Sequence, residues 1–315
     1  MTDTMQVFDR KLVRQRRERA APGFAGADFL IRESAARLAD RLLDVTRSFP
    51  LALDLGCHTG AMGEELKTSP KIERLFQADL SPRMARAAAI ANGRPAICAD
   101  EEFLPLAPQS LDLVLSNLSL HWVNDLPGAL AQIRMALKPD GLLLATLFGT
   151  ETLKELRSVL IDAEAEIAGG VAPRVSPFTD VRDAGNLLTR AGFALPVVDA
   201  ETVTVTYSDM FKLMADLRAM GETNTVIERR HAPTRSDVFL RAAALYAERF
   251  ADERGRITAT FQIITMTAWA PHASQQKPLR PGSATARLAD ALKTSEVQLD
   301  ETTPFTALGG GTKKP

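Results

Sequence analysis

The chain has 315 residues, enough for one large domain or two small ones with ample core. Its formal net charge of −1 gives no bulk attraction to nucleic acid or to a membrane surface. The two cysteines, Cys57 and Cys98, form neither a disulfide framework nor a CxxC metal pair, which fits a reducing compartment, and no apolar run is long enough to predict a membrane-spanning helix.

Residues 1–27 read as a basic N-terminal arm. Arg10, Lys11, Arg14, Arg16, Arg17 and Arg19 stand against Glu18. The stretch lacks the apolar core of a secretory signal, and Asp3, Asp9 and Glu18 interrupt what would be a mitochondrial presequence. A solvated arm is the simpler expectation. The sharper one is contact with an anionic partner or, peripherally, with a membrane.

Residues 28–45 have helical apolar spacing at Ala35, Leu38, Ala39, Leu42 and Leu43, with Arg32, Arg37 and Arg41 opposite. The run 51–55 is too short for a helix and suits a buried strand. It carries Asp54 at its end and runs into Gly56 and Gly60. An apolar strand, an acid and a glycine loop form the first nucleotide-binding turn of an open parallel α/β sheet. The pattern D-x-G-x-x-x-G does not match the dinucleotide fingerprint. It resembles the first motif of class I S-adenosylmethionine (SAM) methyltransferases, with His58 where the middle glycine would stand. Alone, it equally suits an ordinary glycine turn after a buried strand.

A short helix is expected at 61–68 and a second strand at 74–80, ending at Asp79. Ser81-Pro82 then supplies an N-cap and a first-turn proline. An acid at that strand end is placed to accept hydrogen bonds from ribose hydroxyls, although a plain surface acid has the same look. Residues 95–100 form a third strand ending in Asp100, with Glu101 and Glu102 behind it. A fourth strand at 111–117 ends in Asn117. Helix 125–137 buries Leu126, Leu130, Ile133 and Leu137, and KPDG (138–141) should turn into a fifth strand. This alternation predicts a mostly parallel sheet covered by helices on both faces.

Helices follow at 151–167 and 179–191, then strands at 193–207 and 257–269. The last strand is expected to run antiparallel. Residues 208–256 between them read as a helical lid over the ligand edge. Ser208 is expected to cap one lid helix, with Met210, Leu213, Met214, Leu217 and Met220 as a stripe that is core or an adaptable substrate surface. Ser236 is expected to cap the other, with Phe239, Ala243, Tyr246 and Phe250 aligned. The domain therefore spans 28–272, and 273–315 reads as a largely disordered tail.

Several blocks go beyond the general fold: ADEEFLPL (99–106), LSLHWVNDLPGAL (118–130), LFGTETLKELR (147–157), SPFT (176–179), LMADLRAMGETN (213–224) and RPGSAT (280–285). Together they resemble the SAM-fold assembly factors of respiratory complex I, described as protein arginine hydroxylases acting on an iron–sulfur subunit of that enzyme. Phe8-Asp9-Arg10 also resembles the mature start of that family, so a bacterial, cytoplasmic protein beginning near its natural N-terminus is expected. The malonyl-carrier-protein methyltransferases of biotin synthesis share the general plan and the lid.

The resemblance implies SAM as cofactor, held by Asp54, Gly56, Cys57, His58, Gly60, Asp79, Leu80, Asp100, Glu101 and Asn117. Asp100 would take the adenine amino group. It also implies a protein substrate, with no role for nucleic acid.

Methyl transfer from a sulfonium needs in-line alignment more than a base. A malonyl carboxylate would need a cation, for which Arg218, Arg229 and Arg230 are candidates or merely solvated charges. Arginine hydroxylation normally calls for a metal or redox cofactor. None of His58, His121, His231 and His272 stands in an H-x-D/E pattern, so no iron site is legible. His121 and Trp122 are the candidate substrate-side residues, with packing against the next helix as the alternative for Trp122. His58 is the point of tension: it adds bulk to the loop, yet histidine tolerates left-handed backbone angles and its ring offers a hydrogen bond. A SAM-binding scaffold without catalysis stays open beside the two enzyme readings.

Overall fold

The computed structural model describes residues 6–276, Ser283 and 286–294. Met1–Ala273 form one compact unit and Ser274–Pro315 a second. In the second, a short helix at Leu288–Leu292 falls in the stretch expected to be irregular. The rest of that tail expectation, and most of the RPGSAT block, lies outside the described residues.

The first unit opens with helix α1 (Arg10–Ala20), a 3₁₀ turn (Ala21–Gly26) and helix α2 (Phe29–Leu43). Asp9 caps α1 by accepting from Leu12 N, and Val13, Arg17 and Ala20 form its buried face. The arm is therefore a packed helix; only its outward residues, such as Lys11, Arg14 and Arg19, are exposed. In α2, Asp28 makes no side-chain cap bond, whereas Leu30, Ile31, Ala35, Leu38 and Leu42 are all buried. Each buried leucine or isoleucine contributes roughly 1.5–3 kcal/mol, and together they far exceed the roughly 1 kcal/mol of a cap, so the stripe sets this helix.

The alternation then runs β1 (Phe49–Leu55), α3 (Ala61–Glu65), β2 (Ile72–Asp79), α4 (Pro82–Asn92), β3 (Ala96–Cys98), β4 (Leu111–Asn117), α5 (Leu126–Ala136), β5 (Leu137–Phe148). Next come α6 (Lys154–Ala168), α7 (Val181–Arg190), β6 (Ala194–Tyr207), α8 (Met210–Ala219), α9 (Ser236–Phe250) and β7 (Ile257–Trp269). Among the described residues the sheet has seven strands in the order β3-β2-β1-β4-β5-β7-β6. β1 to β5 pair in parallel, and β7 runs antiparallel to both β5 and β6. One buried cluster joins α2, α6, α8 and α9 on one face; another joins α5 and α7 on the other. The strand order reverses between β1 and β4, and the crevice outside their carboxyl ends is where such sheets hold ligands.

Four local expectations change. KPDG is not a turn before β5 but part of it, with Asp140 at φ 65°. Hydrogen bonds from Asp140 N to Ala270 O and from Ala270 N to Gly141 O carry the extended chain through. In the lid, Asp209 rather than Ser208 caps α8, accepting from Lys212 N, while Ser208 Oγ donates to Asp209. Ser236 is already helical, preceded by Arg235 with no side-chain cap bond. The buried face of α9 is Val238, Ala242, Leu245 and Tyr246; Phe239, Ala243 and Phe250 are only partly buried and pack at its edge. In α8, Met210, Leu213 and Leu217 are core, as is Met220 just past its end, which fits the core reading of the stripe; Met214 is only partly buried.

Candidate functional site

β1 delivers Asp54, fully buried, to the crevice, and the chain then turns through Gly56 at φ 74°, His58 at φ 49° and Gly60 at φ 96°. Gly56 has no room for a side chain. A Cβ there would stand 2.0 Å from Ser119 Oγ, on the turn that follows β4. Gly60 needs its left-handed angle and lies against Asn92 Nδ2. His58 takes the middle position without opening the loop. Its ring stacks on Phe24 at 5.6 Å, with Nε2 3.2 Å from Leu118 O. Burial, and then the Arg17 charge, lower its pKa, so the neutral ring donates from Nε2. Nδ1 of His58 and both carboxylate oxygens of Asp54 are buried without a partner. Burial first, and Asp79 second, push Asp54 up to about 8.

The second and third acids also reach this edge. Asp79 accepts from Ser81 N at 2.8 Å and from His58 N at 3.0 Å. Asp100 and Glu101 follow β3. α1 brings two arginines to them. Arg17, 2% exposed, donates to Glu101 at 3.0 Å and Ser119 Oγ at 2.8 Å and lies 3.5 Å from Asp79. Arg10 bonds Asp100 and Glu101, each at 2.5 Å, and also Trp122 O. Burial alone would raise the pKa of Glu101, but Arg17 and Arg10 outweigh it and hold the group down at about 2. Sequence reasoning missed both arginines as site residues. The signal was present: Arg10, Val13, Arg17 and Ala20 recur at one helical face.

The remaining expected residues divide. Cys57 is buried in the glycine loop, and burial raises its thiol pKa. Leu80 packs with Phe8, Val13, Trp122 and Val226. Asn117 is committed elsewhere: its Nδ2 donates to Ile31 O at 2.8 Å and its Oδ1 accepts from Thr146 at 2.9 Å. That pairing clamps β4 to α2 and β5 and takes its amide out of the crevice.

Beyond the acids, His121 and Trp122 lie in the 3₁₀ turn after β4. Both converge on Glu222, in the loop after α8. His121 Nε2 is 3.1 Å from Glu222 Oε2, and Trp122 Nε1 donates to the same oxygen at 3.0 Å. The His121 contacts offset the burial of Glu222 and lower its pKa. Glu222 was not among the expected residues, because its partners are distant in sequence. It lines a cavity of about 300 Å³ together with Trp122, Phe148, Phe178 and Phe261. Arg16, Arg174, Arg218, Arg229 and Arg230 line the same cavity, as does Met214 of the stripe. Among the described residues, no group of three His, Cys, Asp or Glu side chains is placed to hold a metal ion.

Residues 53–145 match a methyltransferase domain. Arginine-hydroxylase NDUFAF5 of Danio rerio is 46% identical, over 94% of this chain and 93% of its own. The human protein of that name is 45% identical, over 91% and 84%. The chain belongs to the arginine-hydroxylase NDUFAF5 family. A malonyl-[acyl-carrier protein] O-methyltransferase from Methylovorus is more distant, at 36% identity over 88% of this chain and 95% of its own. The fold itself is shared with a putative methyltransferase of Bacillus halodurans, with a TM-score of 0.54 and 15% identity over 76% of this chain and 100% of that one.

The family is a branch of the class I SAM-dependent enzymes, and SAM is its cofactor. The expectation of a bacterial, cytoplasmic setting does not stand: relatives from fish, mouse and human are named as mitochondrial.

The residues present suit SAM chemically. Asp79 offers carboxylate oxygens to a ribose diol, the Gly56 turn admits close backbone approach, and Asp54 and His58 Nδ1 await polar partners. SAM supplies an electrophilic methyl on a sulfonium. The chain's own part at this edge is to bind and orient it, with α1 laid across the same acids.

Proposed function

We propose that this chain modifies an arginine side chain of a protein substrate, which enters the cavity beside His121 and Trp122. The observation that carries the reading is Glu222. It is a buried carboxylate at the wall of a cavity faced by Trp122, Phe148, Phe178 and Phe261. Aromatic faces and one carboxylate suit a guanidinium, which can stack and donate at once. The relatives named arginine-hydroxylase share nearly the whole chain, lid included. By the resemblance of the sequence blocks, the substrate is an iron–sulfur subunit of respiratory complex I.

Hydroxylation converts a C–H bond to C–OH, so the oxygen atom and a two-electron oxidant must come from a co-reactant. The residues of the chain bind and orient the target: Glu222 would pair with the guanidinium, His121 would hold Glu222, and the aromatic wall would exclude water.

A second reading is methyl transfer to a carboxylate on an acyl-carrier protein. What favours it is the row of arginines on the same cavity, Arg218, Arg229 and Arg230 among them, together with the malonyl-carrier-protein relatives. A carboxylate needs a cation to hold it and no base to activate it.

Intact-mass measurement separates the two. The purified protein is incubated with SAM and either the arginine-bearing subunit, in the presence and absence of a cell extract supplying the oxidant, or malonyl-carrier protein. A gain of one oxygen on the subunit supports the first reading, and a gain of one methylene on the carrier supports the second. Bound SAM with neither change points to a scaffold.

A further inference from the structure

We propose that Arg10 and Arg17 are cofactor-site residues: counter-ions that hold the SAM site shut until α1 lifts, and whose release couples cofactor entry to the substrate lid. This latch acts at SAM entry and does not depend on which reaction follows.

Three observations carry it. First, Asp79, Asp100 and Glu101 at the ligand edge are each already paired with the arm. Arg17 contacts Asp79 and Glu101, and Arg10 contacts Asp100 and Glu101. Asp79 among them ends β2, a position that suits a ribose diol. Arg17 is the largest fully buried side chain of the protein's described part, and Asp54, Asp79 and Glu101 have no exposed surface.

Second, the following 3₁₀ turn closes the other side. Phe24, 1% exposed, stacks on His58 in the glycine loop. The glycine loop and the acids thus meet α1 and its successor, not solvent. SAM can enter only when this element moves.

Third, charge can be exchanged without leaving the acids bare. Uncovering buried carboxylates is costly unless another cation or donor replaces the guanidinium. SAM brings a sulfonium, an ammonium and two ribose hydroxyls. It can therefore take over the acids from Arg17 and Arg10 as the helix lifts.

The same helix reaches the substrate side. Arg16, the neighbour of Arg17, lines the substrate cavity and hydrogen-bonds Thr223, next to Glu222. Asp9 N donates to Thr225 O, and Ile227 N to Val7 O. Arg16 is a half-buried cation beside Arg229 and Arg19, and burial with those like charges lowers its pKa. Motion of α1 therefore also changes the wall formed by 222–227. Cofactor binds first, and the protein substrate meets a lid already rearranged.

The test is stopped-flow fluorescence of the full chain mixed with SAM. Trp122 reports, because Phe8, just ahead of α1, packs edge-on against it at 5.4 Å. In the wild type, the observed rate should saturate with SAM concentration, because helix opening limits it. Arg17→Met and Arg10→Gln should each raise that plateau at least tenfold. Arg14→Met, on the exposed face of the same helix, should leave it unchanged.

A wild-type rate that stays linear in SAM and equals that of both variants would overturn the proposal. So would a tenfold loss of affinity at unchanged association rate, which would make Arg17 a direct ligand of the cofactor. If circular dichroism finds Arg17→Met unfolded, Arg10→Gln at the outer pair decides alone. An unchanged plateau there refutes the latch.

Discussion

His121 Nε2 and Glu222 Oε2 stand 3.1 Å apart, although 101 positions separate them in the chain. The pair joins the turn after β4 to the loop after α8, and so joins the sheet to the lid. Glu222→Gln keeps the shape and one hydrogen bond but removes the charge that a guanidinium would need. Turnover on the arginine-bearing substrate should fall about 10²-fold, the scale of losing a positioned charged group. SAM affinity by calorimetry should stay within a factor of two or so, because Glu222 lines the cavity proposed for the substrate. Unchanged turnover would remove Glu222 from the substrate site.

What the sequence makes legible follows from the range of each signal. Asp54, Gly56 and Gly60 announce the loop because strand, acid and glycines are contiguous. Asp79 is legible as a strand end by the same local logic, whereas β3 stops at Cys98 and leaves Asp100 two residues beyond it. Glu222 is not, since nothing near it in sequence shows that it will meet His121. Arg17 was legible only as a charge. Its burial depends on Glu101 and Ser119, which reach the same point from β3 and β4. Asn117 misleads in the opposite way: it stands at a strand end, but its amide bonds Ile31 and Thr146.

The Gly56–Ser119 contact gives a prediction with a built-in rescue. Gly56→Ala adds a Cβ at 2.0 Å from Ser119 Oγ and 2.2 Å from Ser119 Cβ, at φ 74°. Backbone strain alone costs on the order of 1–3 kcal/mol. We expect a lower midpoint in urea and SAM binding weakened at least about tenfold, the equivalent of roughly 1.4 kcal/mol. Adding Ser119→Gly should recover part of the stability, because it removes both clashing atoms. The strain at positive φ should remain. A double variant no better than the single one would show that the clash is not the cause.

His58 fills space instead of obstructing the loop, and this reverses the simple expectation for His58→Gly. Glycine would relax φ 49° but delete a buried ring that stacks on Phe24 and bonds Leu118 O. Loss of a buried ring and its cavity costs roughly 2–4 kcal/mol, whereas relief at a left-handed position returns about 1. Chemical denaturation should therefore find His58→Gly less stable by about 1–3 kcal/mol. A gain in stability would mean that relief of the backbone angle outweighs the lost packing.

Asp54 gives a pH dependence whose sign can be worked out. Burial and Asp79 hold its folded pKa at about 8, against an ordinary value of 3.8. Between those values the unfolded chain has lost the proton and the folded chain keeps it. The folded state thus binds more protons, and stability falls as pH rises through that window. Each tenfold in proton binding is about 1.4 kcal/mol, so even part of the displacement moves the melting temperature by several degrees. Asp54→Asn removes the group. Its melting temperature should match the wild type near pH 4 and exceed it by a growing margin up to pH 8. Protein without SAM is the right sample, since bound cofactor would offer Asp54 the partners it lacks and shrink the margin. A margin that stays flat from pH 4 to pH 8 would mean that Asp54 ionises normally and finds a partner in solution.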